Sequence, residues 1–405
     1  MSKVINQGFL ITGTLLKKDG TSEDISGSIL DVMIKKDFLG QNFPLFVVDF
    51  KTTEAIRNTI RDDDCQIKLE IYSYDVNTQS NMESEDNDDP TITSAVCNTT
   101  LRLYSKPFET TSAKKEEDDD ESTSQVETAP FVYYRVSGIP EDLITKNSGY
   151  VNKVYDNATI DEMLVNILSD AGIDNTYIQA ADNTEVEYNV LIPPATLIQS
   201  VDYIDEMYTI YNGICRFFLD YDKVYVYNPY NTSAAPDTKI ECKVISADNS
   251  VESDATALPS YDSNTKTLSI TTRVVPGYNE RKKIVGNSLG TNSVFYSYDE
   301  NFNLVTRNST TTNIGYEKTQ YHWNPSRRKM LEDNLMKSAS KASEAMTLSF
   351  SNISPEYFSP LSSVKITSDY PEPNGDYFIT TETLIFSTTD TKHYTSVLNV
   401  ILSRK

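Results

Sequence analysis

Residues 196–227 read TLIQSVDYIDEMYTIYNGICRFFLDYDKVYVY, and this stretch decides the central part of the fold. Thr196 and Gln199 have the spacing of a capping box, in which two side chains satisfy backbone N–H groups at a helix start. Apolar residues then recur with the 3.6-residue period of a helix, and Gly213 can supply a left-handed stop. The members of this predicted buried stripe are Leu197, Val201, Ile204, Tyr208 and Tyr211.

After the glycine the apolar pattern changes to that of a hairpin. Residues 214–219 and 224–227 read as strands, and residues 220–223 read as the turn between them. Burial of each stripe residue contributes on the order of 1.5–3 kcal/mol, so the helix and hairpin should form the nucleus of a domain. We expect the structure and interactions of this domain to depend on Thr196, Leu197, Val201, Ile204, Tyr208, Gly213 and Phe217.

The order of helix, glycine and hairpin resembles the middle domain of baseplate hub proteins from contractile phage tails. Hubs of type VI secretion spikes are relatives of those proteins. The resemblance is carried by residues 196–199, 202–205, 211–213, 217–220 and 224–227.

This resemblance implies a structural protein rather than an enzyme. It implies a homotrimeric ring that joins the tail tube protein to the central spike protein, contacts other baseplate proteins and leaves a channel through which DNA passes. It also implies a place in the virion tail baseplate after synthesis in the host bacterial cytoplasm. We expect no catalytic residue, no cofactor and no bound metal.

The flanking sequence favours a mainly β fold around an α+β middle domain. We predict a first tube-like β-barrel module in residues 1–135, a middle domain in residues 136–231 and a second tube-like module in residues 232–405. The elements predicted within the flanking modules are a short helix at 54–60, acidic loop inserts at 81–90 and 114–121, and a long helix near 326–346. Dense like charge resists burial, so the inserts should be solvated loops; a basic partner surface and a weak cation site remain open alternatives.

A second capped helix is predicted in the middle domain. Thr159 and Glu162 again have capping-box spacing, and Gly172 can end the helix. The apolar face between them consists of Ile160, Met163, Leu164, Ile167 and Leu168.

Composition excludes several classes of function. The 405 residues carry a formal net charge of −23, which argues against a protein that grips nucleic-acid phosphates. The four cysteines are far apart and are expected to be free thiols. No apolar run approaches the ~18–20 residues of a membrane span, so we expect no membrane insertion by this chain.

One motif favours a different function. Residues 286–290 read GNSLG, which matches the nucleophile elbow G-x-S-x-G at Ser288, and His322 and His393 lie downstream. The elbow requires a helix after the serine, whereas residues 291–298 read as a strand. The alternatives are therefore a β-rich tail-associated hydrolase that uses Ser288 or an acidic pair, and a receptor-binding tail protein.

Overall fold

Strands dominate the part of the chain that can be described, and the predicted mainly β fold class is confirmed. The computed structural model describes residues 2–52, 65–76, 92–103, 108–110, 132–149, 151–211, 215–221, 223–229, 236–245, 258–272, 294–298, 304–307, 316–319, 345–368, 374–388 and 393–404. The predictions outside these residues are the helix at 54–60, both acidic inserts, Gly213, Ser288, His322 and nearly all of the helix at 326–346.

The strands are numbered in chain order. Those of the first 140 residues are β1 (Ser2–Val4), β2 (Gln7–Leu16), β3 (Ser22–Asp24), β4 (Ile29–Asp37), β5 (Leu45–Thr52), β6 (Gln66–Asp75), β7 (Ile92–Leu103), β8 (Phe108–Thr110) and β9 (Val132–Pro140). Those of the middle region are β10 (Val151–Tyr155), β11 (Thr176–Ile178), β12 (Val190–Ala195), β13 (Arg216–Leu219) and β14 (Val224–Tyr227). The rest are β15 (Lys239–Val244), β16 (Ser260–Asp262), β17 (Thr267–Thr272), β18 (Val294–Tyr298), β19 (Leu304–Arg307), β20 (Tyr316–Thr319), β21 (Ala345–Ser351), β22 (Ser363–Ser368), β23 (Gly375–Thr388) and β24 (His393–Arg404).

Three α-helices are described, and all lie in the middle region: α1 (Glu141–Ser148), α2 (Ile160–Asp170) and α3 (Leu197–Tyr208). Single 3-10 turns lie at Ser26–Ser28 and Pro355–Tyr357.

Eight antiparallel strands form a closed barrel in the order β2, β6, β7, β9, β5, β4, β23, β24. The ring closes where β2 pairs with β24, with Phe9 opposite Tyr394 and Leu10 opposite His393. Closure removes the unpaired edges that an open sheet would expose. The two ends of the sequence are therefore joined within one barrel.

The two C-terminal strands of the barrel extend beyond it and pair with further strands, which we call the second sheet. Strand β24 continues to pair with β21, and β23 continues to pair with β22. From β22 the sheet runs through the parallel strands β15 and β17 to β16 and β1. Strand pairing thus crosses between the predicted modules 1–135 and 232–405, and their division into separate units stays a prediction.

The start of β21 corrects the predicted C-terminal limit of the long helix. Met346, the last residue of that predicted helix, lies in a strand and is buried. Met346, Leu348 and Phe350 alternate with small polar residues, which is the period of a strand, and they pair along β24. The two-residue period of these apolar side chains, rather than the 3.6-residue period of a helix, therefore describes residues 345–351.

The middle region has a core of its own, drawn from buried residues between Leu143 and Val226. Helices α1, α2 and α3 pack there with the sheets β10–β12 and β11–β14–β13. Both halves of the predicted capping box of α2 are present, and Gly172 follows the helix with φ 70°. Ile173 donates its N–H to the Leu168 carbonyl at 3.0 Å, which completes a Schellman stop.

Candidate functional site at the joint between barrel and middle region

The residues predicted to organise the middle region lie at its centre. Both halves of the Thr196–Gln199 capping box are formed, with Gln199 accepting from the Thr196 N–H at 3.0 Å. The core-facing side chains of the stripe, Leu197, Val201 and Ile204, are at most 1 % exposed. Tyr208 is half-buried, and Phe217 on β13 packs into the same core.

The helix ends earlier than the sequence predicts. It stops at Tyr208, and Thr209 adopts φ 59°, so the stop precedes Gly213 by one helical turn. The Asp205 carboxylate accepts a hydrogen bond from the Ile210 N–H at 3.0 Å, and the Asn183 side chain donates to the Tyr208 carbonyl at 2.8 Å. These partners satisfy groups that a longer helix would otherwise satisfy.

Tyr211 is buried as expected, although it is not part of the helix. Its hydroxyl lies 2.7 Å from the Gln179 carbonyl, to which it donates, and 3.1 Å from that of Val226. Tertiary hydrogen bonds therefore hold the segment that the periodic pattern assigned to the last helical turn.

The hairpin β13–β14 is buried on both faces. Its alternating side chains enter two different cores, as the period of a strand requires. One set of side chains belongs to the middle-region core: Phe217, Leu219, Val224 and Val226. The other set belongs to the barrel core: Phe218, Tyr225 and Tyr227.

A ring contact and a backbone hydrogen bond connect this hairpin to the barrel and to the segment after β4. The Phe218 ring packs edge-on against Phe38, with 4.9 Å between ring centroids. The Leu219 N–H donates to the Asn42 carbonyl at 2.9 Å, just after strand β4. We call the hairpin and the barrel residues it contacts the joint.

A buried group of charged side chains lies at the turn of the hairpin. The Lys36 ammonium on β4 contacts the Asp220 carboxylate at 2.7 Å, and both side chains are 7 % exposed. Glu382 on β23 is directly opposite Lys36 in the strand register and is 1 % exposed. The Lys36 Nζ also lies 4.7 Å from the centre of the Tyr221 ring. We call Lys36, Asp220, Tyr221 and Glu382 the charged cluster.

The two carboxylates of the cluster are held differently. Asp220 accepts from Lys36 and from the Tyr221 N–H, the latter at 2.9 Å. Both carboxyl oxygens of Glu382 are buried and have no hydrogen-bond partner among the described residues. A charged carboxylate is costly in such a place, whereas its neutral acid is not.

The electrostatics of the cluster follow from burial and from one ion pair. Burial raises the pKa of Glu382 from 4.5 to about 7; the positive Lys36 opposes this rise and the negative Asp220 adds to it. Burial alone would lower the pKa of Lys36, but the charge of Asp220 raises it well above its usual value. The cluster therefore contains one stable ion pair and one carboxyl group that titrates near neutral pH.

Reasoning from the sequence did not find this cluster, although a signal was present. Lys36 occupies the inward position of an alternating run in which Val32, Ile34 and Phe38 are buried. A charge at such a position needs a buried partner. The identity of that partner is a tertiary fact, because Asp220 is 184 residues away.

The sequence family is decided by a match over the whole chain. The family model described as Bacteriophage PBS1 gene 109 protein matches residues 1–405. The chain belongs to this family. At that level the predicted relation to bacteriophage proteins is confirmed.

Solved structures similar to this family member share little sequence with it. A tail protein from Neisseria meningitidis MC58 is 11 % identical, with a TM-score of 0.49 and coverage of 98 % of this chain and 97 % of the other. The 43 kDa tail protein of prophage MuSo2 from Shewanella oneidensis is 9 % identical, with a TM-score of 0.48 and 96 % coverage of both chains. An Escherichia coli component of the type VI secretion system is 10 % identical, with a TM-score of 0.40 and coverage of 92 % and 73 %. No curated protein sequence matches this one.

The other side chains that could bind a metal or take part in catalysis are dispersed among the described residues of this gene 109 family member. Among the described residues, no three His, Cys, Asp or Glu side chains come together as a metal site requires. His393 is half-buried on β24, with its ring centroid 6.0 Å from that of Tyr74. None of the four cysteines, all of which the structure describes, forms a disulfide bond. None of the described helices is both long and apolar enough to cross a lipid bilayer.

The raised pKa of Glu382 predicts how stability depends on pH. Between pH 4.5 and about 7 the folded protein retains a proton that the unfolded chain has released, so the free energy of unfolding falls as pH rises. The loss is on the order of 3 kcal/mol and is complete above pH 8. Glu382→Gln keeps the shape and removes this titration. Urea unfolding at pH 5 and pH 8 should therefore show a smaller loss of stability in the variant.

The comparison of parent and variant isolates Glu382 from other titrating groups. Burial raises the pKa of Asp205 to about 6, so Asp205 contributes a pH dependence of the same sign in both proteins. An equal loss of stability between pH 5 and pH 8 in parent and Glu382→Gln would show that Glu382 is already ionised in the fold.

Proposed function

We propose that this protein is the structural hub of a phage tail baseplate. It assembles as a homotrimeric ring that joins the tail tube protein above to the central spike protein below. The observation that carries the proposal is the pair of long strands β23 and β24, which belong both to the closed barrel and to the second sheet. Two tube-like β units that share strands form one rigid support in each subunit. Membership of a bacteriophage family supports the same conclusion.

The joint gives such a hub a mechanical role. The hairpin β13–β14 is buried in the cores of the barrel and the middle region at once, so a force on either part reaches the other through packed side chains. The residues predicted to organise the middle region support this hairpin from one side. We propose that they act through structure and have no catalytic role.

The charge of the chain is compatible with a central channel. A net charge of −23 in each subunit means that carboxylates outnumber cations and repel phosphates, so DNA would pass through such a ring without being held. We propose the virion baseplate as the site of function, with other baseplate proteins as neighbours and synthesis in the host bacterial cytoplasm.

The test of the proposal is the mass of the purified native protein. We expect sedimentation equilibrium to give three times the chain mass of 45.6 kDa, because a closed ring satisfies every subunit interface. Electron micrographs should show rings with an open centre. A protein that stays monomeric at all concentrations, or a trimer without a central opening, would overturn the proposed hub.

A further inference from the structure

An apolar patch faces solvent on the middle region. Strands β10 and β12 form a two-stranded sheet in which Val154 lies directly opposite Leu191. These two side chains are 67 % and 54 % exposed, and Tyr188, which precedes β12, is 67 % exposed. Directly opposed residues in antiparallel strands have Cβ atoms ~4.5–5.5 Å apart, so the valine and leucine form a continuous apolar surface. Large exposed apolar surfaces commonly mark interaction sites.

Two acidic side chains lie close to this patch along the chain. Asp156 is two residues after Val154, Glu185 is three residues before Tyr188, and both are exposed. The nearby cation Lys153 is paired with Asp170, so it does not offset them. We call Val154, Tyr188 and Leu191, with Asp156 and Glu185, the acid-rimmed patch.

A surface of the opposite sign lies on the second sheet. Lys239 and Lys243 on β15 and Lys365 on β22 are exposed, because they alternate with buried apolar residues. Two exposed acids lie beside Lys365, which is directly opposite Glu241 on β15 and Asp376 on β23. We call Lys239, Lys243 and Lys365 the lysine face. It carries a net positive charge in a chain whose total is −23.

The lysine face also contains an apolar contact point. A surface groove of about 440 Å³ runs over β15, β17 and β22, and its lining includes Leu258, Lys243 and Lys365. Leu258 is 49 % exposed. An exposed leucine in a groove lined by two lysines is complementary to exposed apolar side chains that have carboxylates nearby.

We infer that the acid-rimmed patch of one subunit docks on the lysine face of a second copy of this chain. The two surfaces are different parts of the molecule, so the contact is head-to-tail, and head-to-tail contacts generate a closed ring when the rotation between subunits is suitable. This inference rests on the proposed function and names the surfaces that form its ring. The second copy is the chosen partner because the chain itself carries both complementary charges.

Charge reversal tests the contact. One variant carries Lys239→Glu and Lys365→Glu, and another carries Asp156→Lys and Glu185→Lys. Each alone places like charges across every interface, so self-association should weaken at least about tenfold. A chain that carries all four substitutions restores opposite charges at each interface and should assemble as the parent does. Lys18→Glu, an exposed lysine outside both surfaces, is the matched control and should sediment like the parent.

A cross-link provides a second measurement that does not depend on charge. A chain with Tyr188→Cys and Leu258→Cys should form disulfide-linked oligomers under mild oxidation, whereas one with Val165→Cys and Leu258→Cys should not. Val165 is 54 % exposed on helix α2 and serves as the matched position.

A trimer that neither charge reversal weakens, or that cross-links equally from both positions, would overturn the assignment of surfaces and leave the ring intact. A monomeric parent would overturn the ring as well. Binding of the lysine face to DNA in the absence of self-association would also overturn the inference.

Discussion

Replacement of Ile204 by aspartate is expected to unfold the middle region. Ile204 lies on the capped helix α3, is fully buried and belongs to the same core as the hairpin β13–β14. A carboxylate at this position would have no partner and would have to be buried either charged or with a strongly raised pKa. We expect a loss of more than the ~2–5 kcal/mol that an Ile204→Ala cavity costs, because the charge penalty adds to the lost packing.

The measurement is urea unfolding of both Ile204 variants, followed by fluorescence and circular dichroism. Val165→Asp is the matched control, because it makes a similar change at an exposed position of the adjacent helix and should alter stability by about 0.5 kcal/mol or less. If Ile204→Asp unfolds at the same urea concentration as Val165→Asp, the stripe does not support the middle region.

Loss of the buried anion at the joint is the second large effect. Asp220→Asn keeps the hydrogen bond from the Tyr221 N–H but leaves the Lys36 ammonium buried without its counter-ion. Removing one partner of a buried ion pair costs about 3–5 kcal/mol. The loss should be larger at pH 5 than at pH 8, because Glu382 can ionise above its pKa of about 7 and replace the missing charge.

Two further variants separate the charge effect from packing. Lys36→Met combined with Asp220→Asn removes both charges and should recover part of the lost stability. Asp49→Asn breaks an exposed pair in which Arg135 donates to both carboxylate oxygens at 2.7 and 2.6 Å, and it should cost ~1 kcal/mol or less. If Asp220→Asn and Asp49→Asn lower the free energy of unfolding equally, burial does not make the Lys36–Asp220 ion pair more important to stability than an exposed pair.

Prediction from the sequence succeeded where a structure depends on residues a few positions apart. The capping boxes at Thr159 and Thr196 and the stop at Gly172 were read correctly, because each hydrogen bond joins neighbours within one or two turns. The end of α3 was misplaced, because Asn183, a residue from outside the helix, binds its last carbonyl.

The joint was predicted only in part. Phe217 was identified as part of a strand run, but that run could not show that Phe218 enters a different core. A hairpin buried on both faces is apolar throughout, so its sequence does not reveal which element covers each face.

By itself, the sequence determined the mainly β class, the capped helices α2 and α3 and the hairpin, since local periodicity and end signals encode them. Only the tertiary structure decided that residues 9–10 pair with residues 393–394 to close the barrel. It also decided that Lys36, Asp220 and Glu382 meet in one buried cluster. The physical reason is that such contacts depend on which faces of distant elements are buried together, and a local pattern records that a face is buried without recording its partner.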